Sequence, residues 1–155
     1  MKYFTTTILA IGMMLQASLA LAAGTVKVHD AWIPQAPPVA DVLAAYLVVE
    51  NTGSKPVTIV GATSPDFAGV MMHKTITENG VARMVHESSL TIAPKSKLVF
   101  ERGGLHLMLM SPKHGFKLGD KVHLSLETAD KHKIPFTAIV KEATLGDDQH
   151  HDHQH

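Results

Sequence analysis

The chain has 155 residues, with 14 Lys and Arg against 14 Asp and Glu, 11 His, 8 Met and no Cys. Balanced charge excludes the basic field that draws a domain onto nucleic acid. Without a thiol there can be no disulfide framework, zinc ribbon, blue-copper centre of the His₂Cys type or thiol-disulfide active site, so soft metal chemistry falls to methionine.

The first segment reads as an export signal. Lys2 supplies the positive start, an apolar stretch runs from Ile8 to Leu21, and Ala20-Leu21-Ala22 ends it with small residues at the positions a signal peptidase accepts. The stretch falls short of the roughly 20 residues needed to span a bilayer. Cleavage after Ala22 is therefore expected, with no membrane span left in the mature protein. The loss of Lys2 leaves basic residues one short of acidic ones. About 130 residues remain, enough for one domain with a proper core. Its expected bounds are 23–144, followed by a tail over 145–155.

From there the sequence alternates short β-like runs with turn signals, and no stretch holds a helical period over three turns. The expected strands are Thr25 to Ile33, Ala44 to Glu50, Val57 to Ser64, Val70 to Thr77, Val81 to His86, Leu98 to Phe100, Leu105 to Met110, Val122 to Thr128 and Ile134 to Lys141. Asn51-Thr52-Gly53 and Asn79-Gly80 supply residues that tolerate positive φ, and Gly103-Gly104 a sharp turn. Asn79-Gly80 reads as a hairpin tip. Pro34 to Pro38 suits an extended connection, because proline cannot donate to a sheet ladder. The pattern predicts an all-β, Greek-key β-sandwich.

The most informative run is Leu105-His106-Leu107-Met108-Leu109-Met110. In a strand, alternate side chains share a face, so three leucines point one way and His106, Met108 and Met110 the other. Alone, this is also how an ordinary strand packed under a loop reads, since methionine is a common core filler. A second pair of strands tips the balance: Met71 and His73 precede the Asn79-Gly80 turn and Met84 follows it. Parity puts Met71 with His73 and sends Met72 to the core side with Val70. Met71 and Met110 are therefore auxiliary candidates. His86, which shares parity with Met84, is another, although an exposed histidine usually just faces solvent. Two imidazoles with two thioethers select Cu(I) over Zn(II), Mg(II) or Ca(II).

His73, ten residues, Met84, twenty-one residues, His106, one residue, Met108: this spacing resembles the periplasmic copper chaperones called PCuAC. The similarity extends through the hairpin from His73-Lys74-Thr75 to Gly80-Val81-Ala82-Arg83-Met84 and through Gly103-Gly104 to Met110. The resemblance implies a cupredoxin-like sandwich in the periplasm, with His73, Met84, His106 and Met108 as ligands. It also implies delivery of Cu(I) to a receiver such as the CuA centre of cytochrome c oxidase subunit II, or to another copper chaperone. The sequence departs from the family at Lys74, where an acidic residue is common, and at Glu101-Arg102, where a proline often precedes the glycines.

The tail carries His150, His151, His153 and His155 among Asp147, Asp148 and Asp152, with no apolar content to pack. It is expected to be disordered without metal and to capture Cu(II), which such borderline ligands suit. His29, His114, His123 and His132 are read as surface or hydrogen-bonded residues, and Trp32 and Tyr46 as core or edge aromatics. No catalytic triad, phosphate loop or carboxylate pair stands out, so the expectation is not an enzyme. Three other readings stand beside delivery: copper storage or detoxification without a dedicated receiver, a copper redox enzyme, and a metal-free sandwich that binds another protein.

Overall fold

The computed structural model describes residues 25–143. The expected signal segment at 1–22 and the tail histidines His150, His151, His153 and His155 lie outside the described residues. Among the described residues there is no helix long and apolar enough to cross a membrane. Ten strands form instead: β1 (Val26–Pro34), β2 (Val42–Asn51), β3 (Val57–Thr63), β4 (Phe67–Glu78), β5 (Val81–His86), β6 (Leu90–Ile92), β7 (Ser96–Phe100), β8 (Leu105–Pro112), β9 (Lys121–Thr128) and β10 (Lys133–Lys141). The expected nine are all present. The tenth, β6, is three residues long and too short to show a period.

The strands join in one hydrogen-bonded sequence, β5-β4-β8-β7-β2-β1-β10-β9-β3-β6, which places β5 and β6 at its two ends. Strand β1 links the halves. Its first residues pair antiparallel with β2, a bulge interrupts the register between His29 and Trp32, and its last residues run parallel to β10. Asp30, inside the bulge, has a φ of 54°. A bulge bends and twists a strand, and here it lets one strand serve both halves of the sheet.

The two halves share one core. On β2, Leu43, Ala45, Leu47 and Val49 point inward; Leu107 and Leu109 do so on β8, Val122, Leu124 and Leu126 on β9, and Ala138 and Val140 on β10. Each fully buried aliphatic side chain contributes about 1.5–3 kcal/mol relative to exposure. Inward leucines on β8 force the residues between them to the opposite face.

Two turns shape the connections between these strands. Asn79 and Gly80 have φ of 54° and 78°, the pair of positive values a two-residue hairpin turn requires, and Glu78 pairs with Val81 around them. That tip is as expected. Asn51-Thr52-Gly53 works differently from expectation, since none of the three adopts positive φ. Asn51 is instead fully buried, donates through Nδ2 to the carbonyls of Lys55 (2.7 Å) and Ile92 (3.1 Å), and accepts from Gly53 N (3.0 Å). The loop is tied down by a side chain rather than freed by glycine.

Candidate metal centre

Three neighbouring strands, β5, β4 and β8, build the site, and their register decides it. His73 on β4 stands opposite His86 on β5 and opposite His106 on β8. Met71 stands opposite Met108, Gly69 opposite Met110, and Thr75 opposite Met84. Residues directly opposite share a face. One face therefore carries a row of three imidazoles, His86, His73 and His106, with Met108 beside the row on one strand and Met84 beside it on the other.

His73 is the hub. Its ring centroid lies 5.5 Å from that of His86 and 6.0 Å from that of His106, with interplanar angles of 86° and 79°. Two imidazoles that bind one ion through bonds of about 2.0 Å have centroids about 5 to 6 Å apart. Met84 and Met108 are its diagonal neighbours on opposite sides, and diagonal partners about 7–8 Å apart are within reach of long side chains. The register thus sets His106 opposite His73 and places Met108 and Met84 on its two diagonals.

Burial grades across the row. His106 is 7% exposed and backed by the fully buried Leu107, whereas Met84 is 64% exposed on a strand whose residues are all open to solvent. Met71 is 40% exposed and Met72 only 2%, the split that strand parity requires. Met110 is not brought to the row: a Cβ added at Gly69 would lie 2.8 Å from its Cε, so its thioether lies over that glycine, about 13 Å along β8 from His106.

Backbone geometry orients the buried imidazole. Gly103 turns the chain with a φ of 73°, and Gly104 N donates to Glu101 O at 3.1 Å. The Gly104 carbonyl then accepts two hydrogen bonds, from Thr75 N at 3.0 Å and from His106 Nδ1 at 3.1 Å. A carbonyl can only accept, so Nδ1 carries the hydrogen and Nε2 keeps its lone pair for a metal. Gly103-Gly104 reads as a turn in the sequence, and its position two residues ahead of His106 is the signal for this second task.

His73 is prepared differently. Its Nδ1 is buried without a hydrogen-bond partner. Desolvation, then the neighbouring charges of His106 and His86, hold its pKa below the ordinary imidazole range. A neutral imidazole is the metal-binding form, so His73 offers a lone pair at neutral pH. Among the described residues no three His, Asp or Glu side chains are grouped to hold an ion. The side chains beside the imidazole row are the thioethers of Met84 and Met108, and thioether sulfur suits soft ions.

The histidines read as surface or hydrogen-bonded residues stand apart. His132 Nδ1 is 2.7 Å from an Asp130 carboxylate oxygen, His29 is 2.9 Å from Asp30, His114 is 3.7 Å from Asp66, and His123 is 3.4 Å from the Thr137 hydroxyl. On β2, Ala44 faces Met108, and Tyr46, two residues on, packs against Trp32 with ring centroids 5.2 Å apart and planes tilted by 46°. The Arg102 guanidinium covers Trp32 at 5.4 Å, so the aromatics form a packed cluster.

Comparison with known proteins gives a consistent picture. Residues 26–140 match the family described as "Putative lipoprotein LpqE-like". A Leifsonia xyli subsp. xyli protein named "Putative lipoprotein Lxx21020" is 35% identical over 118 residues, covering 76% of this chain and 70% of that protein. An uncharacterised Rickettsia prowazekii protein is 30% identical over 83 residues, covering 53% of this chain and 46% of the relative. Among solved structures, the copper-bound PCuAC domain from PmoF2 superposes with a TM-score of 0.64 at 20% identity, covering 77% of this chain and 94% of that domain. The Cu(I)-bound solution structure of DR1885 from Deinococcus radiodurans gives 0.63 at 30% identity, covering 84% and 87%.

Proposed function

Because the chain belongs to the LpqE-like lipoprotein family and has the all-β, cupredoxin-like fold of PCuAC domains, we propose that it is a periplasmic copper carrier. It binds Cu(I) through His73, Met84, His106 and Met108 and passes it to a receiver such as the CuA centre of cytochrome c oxidase. The observation that carries this reading is the register that sets His73 against His106 with thioethers on both diagonals. The Cu(I) bound to DR1885, 30% identical to this chain, supports the choice of ion.

The chemistry suits carrying rather than turnover. Two neutral imidazoles and two thioethers add no charge to Cu(I), and soft sulfur favours the monovalent ion over the divalent one. His106 is fixed by the Gly104 carbonyl and by burial, so its nitrogen is preorganised. Met84 is exposed and flexible, so it can exchange for an incoming ligand without disturbing the core. The tail histidines His150, His151, His153 and His155 supply a second, borderline-ligand site that captures Cu(II).

The test is a competition titration of Cu(I) against a chromophoric chelator. The double substitution His106→Ala with Met108→Ala should abolish stoichiometric binding at the strand site while the circular dichroism of the sheet persists. Unchanged affinity would overturn the assignment. Storage without a receiver is separated by a transfer assay: a carrier delivers copper to a purified CuA domain faster than free dissociation allows, and a store does not.

A further inference from the structure

The register leaves one histidine unused. His86 faces His73 across the β5–β4 pair as squarely as His106 does across the β4–β8 pair, and its ring is the nearer of the two, 5.5 Å against 6.0 Å. Yet His86 and His106 are separated by two strand spacings, about 9.6 Å. Among the described residues no three His, Asp or Glu side chains are grouped to hold one ion, and His73 is the imidazole that pairs with both of the others. What the face offers is two overlapping half-sites with His73 common to both. The inner one combines His73 with His106 and Met108; the outer one combines His73 with His86 and Met84. Each has two imidazoles and one thioether.

Their surroundings differ in one respect. The inner half-site rests on the buried Leu107 and Leu109, and its histidine is held by the Gly104 carbonyl. The outer half-site stands on β5, which ends the sheet and is exposed along its whole length. A ligand from another molecule meets His86 and Met84 before it can reach His106.

We infer that His86 is the exchange ligand of the site: copper held by His73, Met84, His106 and Met108 moves outward by trading His106 for His86 and releasing Met108, while His73 and Met84 stay bound, and is captured and released there. The inference rests on the copper-carrier reading and deepens it. The exchange makes and breaks only dative bonds, one imidazole replacing another and one thioether leaving, with no change in oxidation state. A group of this kind lowers the barrier in both directions and leaves the equilibrium in place. A resident ligand, by contrast, shifts the equilibrium.

That difference is measurable. The protein is the full mature chain with His150→Asn, His151→Asn, His153→Asn and His155→Asn, so that no tail imidazole competes. Stopped-flow transfer of Cu(I) to excess bathocuproine disulfonate gives the rate, and equilibrium competition with the same chelator gives the affinity. His86→Ala should slow transfer by about tenfold or more, the scale on which loss of a supporting metal contact is felt, while affinity stays within about threefold. Val85→Ala, the neighbour that faces the other side of β5, should change neither and controls for disturbance of the edge strand. A wild-type transfer rate in His86→Ala would overturn the inference; so would a loss of affinity as large as that of His106→Ala, because His86 would then be a resident ligand. If the unsubstituted site fails to bind Cu(I), the carrier reading itself has failed, a result distinct from either.

Discussion

Met71 and Met72 are adjacent in sequence and opposite in consequence, which makes them a sharp test of the strand face. Met72 is 2% exposed among the core residues, and Met71 is 40% exposed beside the proposed site. Truncating a buried methionine to alanine costs about 2–5 kcal/mol in lost transfer energy and residual cavity. For a domain of this size each kcal/mol lowers the melting temperature by about 3–5 °C, so Met72→Ala should melt about 6–25 °C below the parent. Its Cu(I) affinity should be unchanged. Met71→Ala should keep stability within about 0.5 kcal/mol, as exposed positions do. Because Met71 faces Met108 and not His73, it should weaken Cu(I) binding far less than Met108→Ala does. Thermal unfolding followed by circular dichroism, with Cu(I) competition on the same samples, reads both quantities. Equal destabilisation by the two substitutions, or weaker copper binding in Met72→Ala at unchanged stability, would refute the assigned faces.

Gly103→Ala places a Cβ on a residue with φ of 73°, a conformation that costs an L-residue about 1–2 kcal/mol. Relaxation of that turn moves the Gly104 carbonyl away from His106 Nδ1, so the variant should lose Cu(I) affinity as well as stability; equal affinity in a stable variant would count against the orienting role. A pH series tests His73. Its folded pKa is depressed by desolvation and by His106 and His86, so the unfolded chain takes up the proton first as pH falls. Its contribution is intact above about 6.5, the ordinary imidazole value, and stability is lost as pH drops from there through the depressed folded value. His73→Gln should flatten that part of the melting-temperature profile of the copper-free protein, and an unchanged slope would contradict it.

Much of the fold, and of which side chains share the candidate face, was legible in the sequence because those signals are local. The alternation of Leu105 to Met110 fixes which side chains share a face whatever the strand pairs with. Asn79-Gly80 fixes a two-residue turn, and that turn sets His73 against His86. The pairing of β4 with β8 is another matter. Thirty-two residues lie between His73 and His106, so their register depends on how β6, β7 and the Gly103 turn are laid down, and the motif spacing was the hint. The parallel contact of β1 with β10 and the three-residue β6 have no local signature. Asn51 reads as a turn residue by type, while its buried hydrogen bonds to Ile92 become visible only once distant strands meet.

Coordination by imidazole and thioether together is read most directly by X-ray absorption of the Cu(I)-loaded chain carrying the four tail substitutions. A mixed shell of nitrogen and sulfur scatterers is expected, with the sulfur contribution reduced in Met108→Ala. A shell of nitrogen or oxygen alone, unaltered by Met84→Ala and Met108→Ala, would show that the two thioethers do not hold the ion.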